Sequence, residues 1–89
     1  MHVGVRLDGM GVKLKILFLC TGNSCRSQMA EGWARHLKDD SIQAFSAGLA
    51  AHGLNPNAVK VMQEEGVDIT PQKSQRVGEV KTIPFDIVV

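Results

Sequence analysis

Cysteine is scarce in this sequence: Cys20 and Cys25 are the only two among 89 residues. A bridge between two positions so close would close a very short loop and staple almost nothing, which excludes a disulfide framework as the basis of the fold. No Cys/His arrangement has the spacing of a zinc site, because His2, His36 and His52 are scattered, so no metal is expected. Excess charge is lacking as well. The net charge is +1 and no Lys/Arg block stands out, so nucleic acid is not an expected partner. Long apolar runs are missing: none approaches the ~18 residues of a membrane span, and residues 1–13 lack the apolar core of a signal peptide. A membrane is therefore not an expected partner either, and the expected compartment is the cytoplasm. Nothing in the pattern calls for a cofactor.

What is present suits a small globular domain. Apolar residues make up 44% of the chain and charged ones 21%. At 89 residues there is room for one domain, close to the size at which a single core is marginal. Residues 1–13 carry three glycines and no sustained period. They are expected to be a flexible extension, with Met10 an alternative start, and the domain to occupy residues 14–89. Leu14 to Leu19 is nearly all apolar and too short for a helix, which fits a buried central strand of a parallel sheet. From Ser27 the period changes. Met29, Ala30, Trp33, Ala34 and Leu37 recur at steps of three and four, with Glu31, Arg35 and Lys38 largely on the other side. An amphipathic helix of about three turns is expected there, with Trp33 as its core anchor. Asp39-Asp40-Ser41 should be the turn after it, since acidic residues suit a helix C-terminus poorly.

Ile42 to Phe45, ending at Ser46-Ala47-Gly48, reads as a second strand and completes a βαβ unit with a right-handed crossover. Asn55 stands as N-cap before Pro56, and a second helix runs through Ala58, Val59, Val61, Met62 and Glu65 to Gly66 as its C′ glycine. After Thr70-Pro71 comes a polar stretch in which Ser74 is placed to cap one short helical turn. Phe85 to Val89 reads as a third strand. An apolar strand is a poor place for a chain to stop, because its faces need cover and its backbone needs neighbours. The expectation is a C-terminally truncated domain that covers this strand by self-association into a homo-oligomer.

The chemistry concentrates in one stretch. An apolar run ends on Cys20, a loop of small residues follows, and Arg26 and Ser27 open the first helix, a C-x5-R spacing followed by Ser. A thiol attacks as thiolate, and a free cysteine with a pKa near ~8.5 is mostly protonated at neutral pH. The helix N-terminus, with its unpaired N–H groups, favours the anion, and Arg26 adds a full positive charge. The same groups suit a tetrahedral oxyanion: a nest of amides from Thr21 to Ser27, with Arg26 offering a bidentate fork. Gly22 has no side chain to crowd a ligand, and Asn23 tolerates the left-handed conformation of a tight loop. Ser27 can donate to the Cys20 sulfur. Cys25 is either a packed small residue or a redox partner. Ser46 and Gly48 end the second strand where they can brace the loop, and His52 is either a loop residue with local hydrogen bonds or a residue near the oxyanion.

Cys20-Thr21-Gly22-Asn23-Ser24-Cys25-Arg26-Ser27, followed by Gln28-Met29-Ala30-Glu31-Gly32, resembles the low-molecular-weight protein tyrosine phosphatase superfamily, and within it the thioredoxin-coupled arsenate reductase branch. The phosphatases usually carry a bulky apolar residue where Ser24 stands and a proline where Gln28 stands. Ser46-Ala47-Gly48, His52-Gly53-Leu54-Asn55-Pro56-Asn57-Ala58-Val59 and Gly66-Val67-Asp68-Ile69 extend the likeness, which covers roughly residues 14–89. The resemblance implies an α/β, flavodoxin-like parallel sheet of the phosphotyrosine phosphatase I type, in order 2-1-3 for the strands present. It puts the active site at the carboxyl end of the first strand. It further implies Cys20 as nucleophile, Arg26 as oxyanion binder, Ser27 as thiolate stabiliser and Asn23 as the residue that holds the loop's shape. In the phosphatases the cysteine matching Cys25 can form a protective disulfide with the nucleophile. The family's Asp general acid and its two resolving cysteines have no counterpart in these 89 residues.

Three functions follow as expectations. The first is an arsenate reductase-type protein in which the Cys20 thiolate attacks arsenate, with thioredoxin as partner. The second keeps the loop and makes the reaction hydrolysis of phosphomonoesters, phosphotyrosine included. The third is a domain that binds arsenate or phosphate without turnover.

Overall fold

The computed structural model describes residues 13–89, so the expected extension over residues 1–13 lies, Lys13 apart, outside the described residues. The elements run β1 (Leu14–Cys20), α1 (Arg26–Lys38), β2 (Ile42–Gly48), α2 (Pro56–Glu64), α3 (Val77–Val80) and β3 (Ile87–Val88). The three strands form a parallel sheet in the order β2-β1-β3. β1 and β2 pair in register from Leu14 opposite Ile42 to Cys20 opposite Gly48, so the two strands end together. That shared end carries the cysteine loop.

Because side chains alternate across a strand, the two faces of β2 are distinct. Ser46 bonds to Glu31 of α1, which assigns the even-numbered face to that helix. Phe45 and Ala47 point the other way. They join Leu17, Val77, Val80, Ile83 and Phe85 in a cluster beneath α3. A second cluster, Ala58, Met62, Val67 and Ile69, sits between α2 and α1 and takes Met29 and Trp33 from α1 and Cys25 from just before it. Asn55 caps α2 by accepting from the N–H groups of Asn57 (2.7 Å) and Ala58 (3.4 Å). At the other end Gly66, at φ +81°, closes a Schellman turn: the Val67 N–H donates to the Met62 carbonyl and the Gly66 N–H to that of Gln63, both at 2.9 Å.

Four expectations change. Glu31 is buried rather than on a solvent face, because Ser46 and Arg35 satisfy its carboxylate. Leu37 is exposed, because α2 and the Val67–Ile69 segment cover α1 only as far as Trp33. The short third helix begins at Val77, with the Glu79 carboxylate accepting from the Arg76 N–H (2.9 Å); Ser74 caps nothing and accepts from the Gly53 N–H (3.1 Å). The regular part of the third strand is only two residues long. Phe85 turns edge-on to Phe45 (centroids 5.3 Å apart), and the Asp86 carboxylate takes the Lys15 N–H (2.7 Å) in place of a ladder carbonyl. Ile87, Val88 and Val89 are exposed. No helix among the described residues is long and apolar enough to cross a membrane.

Candidate active site

Where β1 ends, residues Thr21–Cys25 turn back over the sheet before α1 begins at Arg26. Three carbonyls of this loop are bonded outward to one strap of chain: Thr21 to the N–H of Ala50 (2.9 Å), Gly22 to that of His52 (2.9 Å) and Ser24 to that of Asn55 (2.8 Å). With the carbonyls held out, the amide N–H groups turn in. Those of Ser27, Asn23 and Ser24 favour the charged form of the Cys20 sulfur. No side chain caps the first turn of α1, which leaves its N–H groups for the thiol or a bound anion.

Two glycines permit the close approach. A Cβ on Gly48 would lie 2.6–2.8 Å from the carbonyl oxygens of Cys20 and Thr21 and the nitrogen of Asn23, all rigid backbone. One on Gly22 would meet the His52 ring at 2.5 Å. Asn23 occupies the left-handed region at φ 48° and is fully buried. Its side chain explains why this strain is tolerated. Oδ1 accepts from the backbone N–H of Gln75 at 2.6 Å, so the other terminal atom must be the amide nitrogen, which donates to Ser27 Oγ at 2.9 Å. An amide nitrogen only donates, so Ser27 Oγ accepts there; toward a Cys20 thiolate, which can only accept, its own proton then points to Sγ, 2.9 Å away.

Burial pushes the Cys20 thiol up. The Ser27 hydroxyl and then the N–H groups of Ser27, Asn23 and Ser24 more than offset this, and the net result lies below the ordinary thiol value. A cleft of about 410 Å³ opens over the sulfur, lined by Leu19, Cys20, Thr21, Gly22, Ser24, Cys25 and Arg26. Arg26 is exposed at its rim. A larger depression of about 880 Å³ involves Lys13, Arg35, Asp39 and Asp86, but it holds no nucleophile. The chemistry belongs to the smaller cleft. Among the described residues no group of His, Cys, Asp and Glu has the arrangement of a metal site.

The structure thus gathers Cys20, Thr21, Gly22, Ser24, Cys25 and Arg26 around one cleft, with the buried Asn23 and Ser27 behind the sulfur. Cys25 has a second role: it stands at the N-cap of α1 and packs against the Met62–Ile69 cluster. Ser46 braces at one remove, through Glu31. Sequence reasoning missed the interior partners of the loop, Gln28, Gln72 and Gln75. Gln28 carried one local signal, a polar residue four positions before Gly32 on a helix otherwise buried there. Gln72 and Gln75 carried none, since their side-chain and loop contacts span 29 to 52 residues.

A thiol of lowered pKa set among loop amides at the carboxyl end of a central parallel strand is an arrangement able to hold an oxyanion, in a protein of the α/β class. The family model of the low molecular weight phosphotyrosine protein phosphatases matches residues 15–89, and the chain belongs to that family. It is 57% identical over 74 residues to an arsenate reductase of Bacillus subtilis, an alignment covering 83% of this chain and 53% of the relative. Its structure is similar to that of an arsenate reductase in the phosphate binding state, with a TM-score of 0.79 and 40% identity over 84% of this chain and 57% of that one. It also resembles the thioredoxin-dependent arsenate reductase of Corynebacterium glutamicum (TM-score 0.79, 26% identity, 89% of this chain and 40% of that one). The chain spans about half the length of the curated relatives it matches.

Proposed function

We propose that this chain carries the nucleophilic half of an arsenate reductase-type reaction. Arsenate sits in the cradle with its oxygens on the loop amides and the Arg26 guanidinium. The Cys20 thiolate attacks arsenic, an As–O bond breaks, and the departing oxygen takes a proton and leaves as water, giving an S–As(V) adduct. Reduction then needs a second thiol. Its sulfur attacks Cys20 Sγ, the S–As bond breaks with its electron pair staying on arsenic as arsenite, and the resulting disulfide is reduced by a dithiol such as thioredoxin. The packing of Cys25 against the apolar cluster speaks for its structural role and against its being that thiol.

The observation that carries this reading is the Ser27 hydroxyl, held as a donor to Cys20 Sγ by Asn23. Iodoacetamide labelling of Cys20, located by peptide mass spectrometry, tests it. Millimolar arsenate or phosphate should slow labelling in the native protein and not in Arg26→Ala. Labelling indifferent to both anions would contradict an oxyanion site.

The family's own name favours a second reading, hydrolysis of a phosphomonoester by the same thiolate attack at phosphorus. Turnover of an aryl phosphate that disappears in Cys20→Ser, with no arsenite formed in the presence of thioredoxin, would select it. Cytoplasmic residence belongs to the same proposal, since reduced thiols are kept there. So does a homo-oligomer formed by pairing along the exposed edge of β3; a monomer in sedimentation would rule that oligomer out.

A further inference from the structure

Behind the cleft, a chain of side chains runs from the exposed Arg35 through a buried interior to the sulfur, and every link donates in the same direction. The Arg35 guanidinium donates to Gln72 Oε1 (3.3 Å), Gln72 Nε2 to Gln28 Oε1 (2.9 Å), and Gln28 Nε2 to Asn23 Oδ1 (3.1 Å). Asn23 Nδ2 then donates to Ser27 Oγ (2.9 Å), whose proton faces Cys20 Sγ (2.9 Å). Asn23, Ser27, Gln28 and Gln72 are all buried.

The direction follows from groups with no choice of role. Backbone carbonyls only accept, and those of Asn23 and Lys73, each 3.0 Å from Gln28 Nε2, fix the nitrogen end of that amide. The Gln28 carbonyl, 2.8 Å from Gln72 Nε2, does the same for Gln72, and a guanidinium can only donate to the other end. Arg35 is anchored in turn by Glu31, whose carboxylate also accepts from Ser46 Oγ at 2.6 Å. No buried side-chain nitrogen or oxygen among the described residues lacks a partner. Aligned hydrogen bonds polarise one another, and a network with every member satisfied holds one orientation.

We propose that Gln28 and Gln72 are positioning residues for Cys20: they lock the Asn23 amide, and through it the Ser27 hydroxyl, in the one orientation that aims a proton donor at the sulfur. Neither glutamine lines the cleft. Both act through Asn23. The inference rests on Cys20 being the nucleophile. Removing the Gln28 amide leaves Asn23 Oδ1 held by the Gln75 N–H alone, and removing that of Gln72 frees Gln28. Either change loosens the hold of Asn23 on the Ser27 hydroxyl, which withdraws stabilisation from the thiolate and leaves the thiol intact.

The test is the pH dependence of Cys20 alkylation by iodoacetamide in the full chain, with the labelled peptide identified by mass spectrometry. In Gln28→Met, which keeps the bulk and removes the amide, the inflection should rise by about one pH unit, a roughly tenfold loss of thiolate below it. Gln72→Met should shift it the same way by less. Val80→Ala, which damages the separate apolar cluster beneath α3, should lower the melting temperature and leave the inflection in place. An unshifted Gln72→Met in a folded protein overturns the proposal, as does an equal rise in Val80→Ala. Gln72 touches neither Asn23 nor the loop, so it decides the matter alone if Gln28→Met does not fold. Failure of the functional reading looks different. Cys20 unprotected by arsenate but still shifted in the glutamine variants would remove that reading and keep the relay, whereas protection with unshifted variants would do the reverse.

Discussion

α1 has two buried flanks, and they are built from opposite materials. On one, Cys25 at the N-cap, Met29 and Trp33 pack against Met62, Val67 and Ile69, an apolar cluster that meets the polar flank at Gly32, beside Gln72 Oε1. On the other, Gln28, Glu31 and Arg35 enter hydrogen bonds that lead to Cys20 and Ser46. Apolar contacts are non-directional, so the first flank can hold the helix down without specifying where any one atom points. Hydrogen bonds are directional, and unmade ones in a buried site are costly, so the second flank specifies orientation. The two cysteines show the result. Cys20 lies where the directional flank converges, and Cys25, five residues on, faces the apolar one.

That contrast can be broken from either side. Cys20→Ser should have the largest effect, a loss of about a thousandfold or more in any reaction that starts with attack at the oxyanion. Arsenite release in an assay that supplies the second thiol measures it. Ile69→Ala comes next. Ile69 is fully buried, and its truncation should cost about 2–5 kcal/mol in denaturant unfolding. The pH profile of Cys20 should stay where it was, and a shift there would join the two flanks and dissolve the contrast. The glutamine variants above should do the converse, moving the profile with a smaller effect on stability. Smallest is Asn55→Ala, which removes the cap of α2 at a cost of about 1 kcal/mol in thermal or denaturant unfolding.

A pH dependence of stability accompanies these. The folded-state pKa of Cys20 is depressed, so the native protein binds the proton less tightly than the unfolded chain. The resulting stabilisation is fully present above the unfolded-state value and is lost as pH falls through the folded one. In Ser27→Ala this rise of stability with pH should flatten.

Much of this arrangement was legible in the sequence because it is local. The C-x5-R spacing, the apolar run before it, the Asn55-Pro56 helix start and the Gly66 stop each depend on residues within one or two turns. The left-handed Asn23 was legible for the same reason. The polar flank was not. Gln72 and Gln75 meet Gln28 and Asn23 only after the chain has crossed β2 and α2, and no periodicity encodes such a meeting. The third strand misled in a different way. Phe85 has the residue type of a strand, but its ring packs on Phe45 and the Asp86 carboxylate substitutes for a ladder carbonyl. Leu37 fits the apolar period of α1 but has no partner in reach of it.

The central claim is that the loop holds Cys20 ready as a thiolate, with the Ser27 hydroxyl as the principal side-chain donor. The pH profile of Cys20 alkylation in the native protein and in Ser27→Ala tests this most directly. The account predicts a native inflection below the ordinary thiol value of about 8.5 and a rise toward it in the variant. An inflection at or above that value, unmoved by Ser27→Ala, would contradict it.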